Sequence, residues 1–252
     1  MILPIPKKRI LALALVLTAS SFPLFPDCWK KTDTEGAVPV SAPTETERIA
    51  LPDGVFFFGE STTAHLARTG GVLCQMPLCR RVFRDAGGTR TLDRRTLHSP
   101  VDHILPDGTR VTRPVSEAVA AEQPRVLVLS FGINGLLDFS EHPDRFLANY
   151  RRLIEGFHAL SPDTRMLLQS VYPVGENKVF SLECKALNQK IDTLNDRVRD
   201  LAESIPYAEY RNTAVLLKDR DGMLCREYDI GDGIHLTNQA YEKILSSLFE
   251  FE

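Results

Sequence analysis

The sequence predicts an α/β domain built on a parallel sheet that is covered on both faces. Two observations carry this. The runs Val55-Phe-Phe-Phe58, Val126-Leu-Val-Leu129 and Met166-Leu-Leu168 are apolar without alternation, as expected of strands buried on both sides. Stretches of helical periodicity separate them, so strands and helices alternate along the chain. The 252 residues are 43% hydrophobic and 25% charged, an ordinary globular composition with room for one such domain and a tail.

At the N-terminus Lys7, Lys8 and Arg9 precede the apolar run Ile10–Leu17 and then small residues. Basic, apolar, small is the order of an export signal. Residues 1–29 are therefore expected to be a signal peptide or an uncleaved membrane anchor, with the following domain outside the cytoplasm. Residues 30–52 are rich in Thr, Glu and Pro and read as a disordered linker. The folded domain is placed at 53–252. Cys28, Cys74, Cys79, Cys184 and Cys225 form no C-x-x-C pair, which disfavours zinc. Cys74 and Cys79 either bridge across a turn or stay unpaired. A net charge of -3 with scattered basic residues gives no electrostatic case for nucleic acid.

Within the domain, strands are expected at Val55–Phe58, Val126–Ser130, Arg165–Val171 and, more weakly, Tyr207–Tyr210. Asp144–Leu160 carries apolar residues at Phe146, Tyr150, Leu153, Ile154 and Phe157. Cys184–Ile205 carries them at Leu187, Ile191, Leu194, Val198 and Leu201. Both predict helices. Asn238–Phe249 closes the chain as a helix capped by Thr237. The segment around His98, His103 and Asp107-Gly108 reads as a surface loop, with a lid over the site as the alternative. His65 is expected to pack rather than react.

In parallel sheets the site lies at the carboxyl ends of the strands. Gly59-Glu60-Ser61 follows the first strand, and Gly132-Ile-Asn134-Gly135 follows the second. Asp232-Gly-Ile-His235 precedes the last helix. Singly, these read as a helix start, a turn and a chance pair. Together they supply acyl-transfer chemistry. A serine hydroxyl needs a base, the base needs an orienting acid, and the tetrahedral intermediate needs fixed donors. Ser61, His235 and Asp232 fill the first three roles. Asn134, the Ser61 N–H and a backbone N–H from the Asp85-Ala-Gly-Gly-Thr89 loop, at Gly88, fill the last.

In these blocks, their order and their placement, the sequence resembles the SGNH, or GDSL-type, hydrolases over roughly residues 53–248. The resemblance implies a flavodoxin-like three-layer α/β/α sandwich and ester hydrolysis without metal or cofactor. It implies Ser61 as nucleophile, His235 as base, Asp232 as its partner, and Ser61, Gly88 and Asn134 as the oxyanion hole. Two positions depart from the family pattern. Glu60 stands where Asp is usual, and Gly135 stands where Asp usually follows the Asn. The expected substrate is a small acyl ester, an acetyl group on a cell-surface glycan being the leading case. An O-acyltransferase with the same triad and a non-catalytic glycan-binding module are the alternatives. The sequence sets no oligomeric state.

Overall fold

In the computed structural model the described residues are 51–69, 78–85, 91–177, 180 and 182–249. In chain order the elements are β1 (Val55–Gly59), α1 (Ser61–Thr69), β2 (Val82–Phe83), β3 (Pro100–Ile104), β4 (Arg110–Pro114), α2 (Val115–Glu122), β5 (Val126–Ser130), α3 (Leu136–Glu141), α4 (Pro143–Leu160), β6 (Arg165–Gln169), α5 (Cys184–Glu203), β7 (Ala208–Arg211) and α6 (Asn238–Phe249).

Strands β2-β1-β5-β6-β7 form, in that order, a five-stranded sheet in which every pairing is parallel. Counted within the sheet, this is the order 2-1-3-4-5 of flavodoxin-like folds. The pleat divides the core in two. Phe56, Phe58, Leu127, Leu129, Met166 and Leu168 face one side, where they meet residues of α2, α3, α4 and α5. Val55, Phe57, Val126, Val128 and Leu167 face the other, against Leu66 of α1 and Tyr241, Ile244, Leu245 and Leu248 of α6. Strands buried on both faces need apolar residues at consecutive positions. The result is the expected three-layer α/β/α sandwich.

The five apolar positions expected to face inward on α4 are all buried, and so are the five expected on α5. Thr237 Oγ1 accepts the Ala240 N–H at 3.4 Å, as a cap for α6 should. The segment expected as a surface loop is regular structure instead. β3 and β4 form an antiparallel hairpin turned at Asp107-Gly108. Asp102 N–H donates to Arg84 O, which joins the hairpin to the chain just after β2. His103 is 1% exposed, and its Nε2 lies 2.7 Å from Glu122 Oε1 on α2. Alternation in Val101-Asp-His-Ile104 was masked because the inward-facing residue is a histidine, satisfied by a carboxylate distant in sequence. The N-terminal 50 residues and Cys74 lie outside the described residues, and with them the export segment, the linker and the proposed Cys74–Cys79 bridge. Among the described residues no helix is long and apolar enough to cross a membrane.

Candidate active site

The chain leaves β1 at Gly59 and enters α1 two residues later. A side chain at Gly59 would place its Cβ 2.3 Å from Thr63 Oγ1 and 2.4 Å from Ser130 O, so the turn requires glycine. Glu60 N–H donates to Ser130 O, and Glu60 O accepts the Ala64 N–H as the first bond of α1. Glu60 therefore occupies the cap position and Ser61 is the first helical residue. Its N–H belongs to the unpaired donors at the positive end of the helix. An N-cap serine would accept an N–H two or three residues on. Among the described residues no hydrogen bond engages the Ser61 hydroxyl, which is half-buried.

Asn134 approaches Ser61 through Glu60. The Glu60 side chain is buried, and its Oε2 accepts the Asn134 N–H at 3.0 Å. Burial pushes its carboxyl up to about 7, against the lowering effect of the N–H groups of Asn134, Gly132 and Ile133. Thus the acid that follows Gly59 holds the loop after β5. Gly132 turns that loop at φ +150°, and a Cβ there would lie 2.4 Å from Val171 Cγ2 and 2.7 Å from Leu194 Cδ2. The departure at Gly135 also has a physical reason. A Cβ there would meet Phe146 at 3.1 Å and Thr91 at 3.3 Å, so packing closes the loop at this position.

On the far side of β1, the loop before α6 is organised by two aspartates. Asp229 Oδ1 accepts the N–H groups of Gly231 and Gly233. Asp232 Oδ1 accepts those of Ile234 and His235, which leaves Oδ2 for the imidazole. His235 Nδ1 lies 2.6 Å from Asp232 Oδ2. Burial raises the Asp232 carboxyl, but the His235 N–H, the imidazole and the Ile234 N–H outweigh it and hold it below the usual carboxylate range. A carboxylate accepts, so in the neutral imidazole the proton sits on Nδ1 and the lone pair on Nε2.

Helix α1 and His235 are held side by side. The rings of His65 and His235 have centroids 5.4 Å apart. His65 Nδ1 lies 3.3 Å from the Tyr241 hydroxyl, and that hydroxyl donates to Thr62 O at 2.8 Å. His65, one turn after Ser61, therefore packs as expected, but it packs on the candidate base. The structure joins His235 to Asp232 and Asn134 to the residue before Ser61. No hydrogen bond joins Ser61 to His235, and such contacts often tighten only when substrate binds. Gly88 lies outside the described residues. Sequence reasoning missed Asp229 and Tyr241. The dense turn residues of Asp229-Ile-Gly-Asp-Gly233 were a signal for the first; Tyr241, on an apolar helix face, gave none.

Two hollows flank these residues. A narrow crevice of about 10 Å³ free space, enough for about one water, is lined by Glu60, Gly132, Ile133, Val171, Tyr172 and Ile234, among others. A much larger cleft of about 690 Å³ is walled by Thr91, Leu92, Asp93, Arg94, Arg95, Asn134, Arg145 and Asn149.

Comparison with known families decides the identity. Residues 57–243 match the model of the GDSL-like lipase/acylhydrolase family. The chain belongs to that family. It is accordingly a carboxylic ester hydrolase of the GDSL type, with the SGNH fold. No curated relative matches the sequence at a significant level. Among solved structures it is similar to a GDSL-like lipase from Bacteroides thetaiotaomicron (TM-score 0.53, 19% identity, covering 82% of this chain and 89% of that one). It is also similar to a DUF4886 family protein from Bacteroides uniformis (0.52, 14%, 78% and 82%). A third is the acetyl xylan esterase AlAXEase (0.50, 17%, 80% and 98%). At these identities the likeness is one of fold. Within this GDSL-type fold, Ser61 and Asn134 follow β1 and β5, the neighbouring strands between which the order of the sheet reverses. That switch point is where open α/β sheets bind ligands.

Proposed function

We propose that the protein is an exported serine esterase that removes small acyl groups, acetyl in the first instance, from glycans. Ser61 Oγ attacks the ester carbonyl while His235 Nε2 takes its proton. Asp232 fixes the imidazole and stabilises the imidazolium. The negative charge on the tetrahedral oxygen meets the Ser61 N–H, the Asn134 amide and a backbone N–H at Gly88. The carbonyl re-forms, the alcohol leaves with the proton from His235, and water releases the acyl group by the same steps in reverse order.

The observation that carries this reading is the Asp232–His235 bond, with the imidazole packed against the helix that Ser61 begins. The acetyl xylan esterase with the same fold supports acetyl esters of saccharides as the class to test. The basic and apolar N-terminus supports export.

The test is turnover of nitrophenyl acetate and of acetylated oligosaccharides. Ser61→Ala and His235→Ala should each abolish turnover by several orders of magnitude while leaving the fold intact. The double variant should be little worse, because the two residues act as a unit. Asn134→Ala should lose roughly 10²–10³ in kcat, the loss typical of one oxyanion donor. If Ser61→Ala matches the wild type, the serine is not the nucleophile. Adding an acceptor sugar and looking for transferred acetate separates hydrolysis from transfer.

A further inference from the structure

The cleft beside Asn134 gathers positive charge. Its walls carry Arg94, Arg95 and Arg145 against one carboxylate, Asp93. Asp93 is already engaged, since its Oδ1 accepts the Arg95 N–H at 2.7 Å and the Thr96 hydroxyl at 3.2 Å. Some arginines elsewhere are matched by acids, as in Arg84–Asp102, Arg199–Asp196 and Arg211–Glu209. Among the described residues the guanidinium groups of Arg94 and Arg95 have no acid within ion-pair distance. The chain as a whole is acidic, with a net charge of -3, so this cluster is not part of a general basic surface.

Two elements hold the cleft in place. Arg145 and Asn149 are one turn apart on α4, on the same side of the helix. The loop 91–95 is fixed by the Thr96–Asp93 bonds and by Thr91 packing near Gly135. Asn134, the proposed oxyanion donor, forms the inner wall. The crevice on the other side of the loop has room for about one water, whereas this cleft, at about 690 Å³, falls within the size range of small-molecule sites. The alcohol part of the substrate is the part that needs such room.

On the reading of the protein as an esterase, we infer that this cleft is the subsite for the alcohol part of the ester, and that this part is an acidic saccharide. Guanidinium forks match a carboxylate or a phosphate, and the Asn149 amide matches sugar hydroxyls. The anion is held away from the scissile bond, so it orients the acylated hydroxyl toward Ser61 without taking part in the reaction.

The experiment compares three acetylated substrates of similar size: a uronic-acid oligosaccharide, a sugar phosphate and a neutral xylo-oligosaccharide. The expected result is that kcat/KM for at least one anionic substrate exceeds that for the neutral one by roughly tenfold or more, and that added salt raises KM for the anionic substrate selectively. Whichever anionic substrate is preferred identifies the group. Arg94→Gln with Arg95→Gln should cut the ratio of anionic to neutral kcat/KM by at least about tenfold, whereas lysine at both positions should restore part of it. A wild-type ratio near one, or a ratio unchanged in the glutamine variant, overturns the subsite. A wild type that hydrolyses none of the three, nor nitrophenyl acetate, removes the esterase reading instead. In that case calorimetric titration of the deacetylated uronic-acid oligosaccharide and sugar phosphate into wild type and the glutamine variant still decides whether the cleft binds anions. Binding of either that the variant loses supports it, and no difference overturns it.

Discussion

Glu60 is a carboxylate in an almost closed space, tethered by the Asn134 N–H through Oε2 while Oε1 has no hydrogen-bond partner among the described residues. Its folded value near 7 lies above the ordinary 4.5, so the sign of its effect on stability can be worked out. Below about pH 4.5 the group is protonated in both states and costs nothing. As pH rises toward 7 the unfolded chain releases a proton that the folded protein retains, and stability falls. Above 7 the whole cost stands, on the order of 3 kcal/mol from the size of the shift. Glu60→Gln should remove this slope. Urea denaturation at pH 5 and pH 8 should show the wild type losing stability relative to the variant by that order, and parallel curves would refute it. Gly135 makes a complementary case. Gly135→Asp, which brings the sequence nearer the family pattern, should destabilise the protein by about 1–3 kcal/mol, because the new Cβ crowds Phe146 and Thr91. A thermal melt that does not fall would show that the loop can shift.

At the scale of elements, α5 carries two buried amides in its apolar face, Asn188 and Asn195. They are two turns apart and treat the chain after β6 as a strand would. Asn195 accepts the Val171 N–H and donates to Val171 O. Asn188 accepts the Val174 N–H and donates to Val174 O. The segment 171–174 leaves the sheet and lines the crevice, so its backbone groups need partners that no neighbouring strand supplies. Asn195→Leu has the right size but leaves a buried donor and acceptor unmet. It should cost roughly 2–4 kcal/mol in denaturant unfolding. A loss below about 0.5 kcal/mol would mean that water replaces the amide. The same logic explains Tyr241, whose hydroxyl ties α6 to Thr62 O beside the site.

At the scale of the molecule, the order of the sheet sets β1 and β5 side by side, so residues 61 and 134, far apart in sequence, come to the same end of neighbouring strands. The loop holding His235 reaches the same end because α6 packs on the α1 face. Protease added to intact cells should digest the domain, and a full-length protein protected in the cytosol would refute export.

Strands β1, β5 and β6 and helices α4, α5 and α6 were legible in the sequence because continuous apolar runs and 3.6-residue stripes are local patterns. The motif residues were legible because turn chemistry places Gly, Asn and Asp at strand ends. The hairpin β3–β4 was not, since His103 faces inward only by virtue of Glu122, and β2 was too short to show a period. The role of Asn188 and Asn195 was hidden for the same reason: a polar residue on an apolar stripe reads as an error until its backbone partners are known. The position of Glu60 was visible, but its burial, its raised carboxyl and its hold on Asn134 depend on β1 and β5 being neighbours. The sequence by itself determined the class of fold and which residue types stand at the ends of its strands. Only the tertiary structure decided that Glu60 holds the Asn134 N–H, that Gly135 is crowded by Phe146, and that Arg94, Arg95 and Arg145 share one cleft with Asn134. The energies of such contacts depend on packing and desolvation that no local pattern encodes.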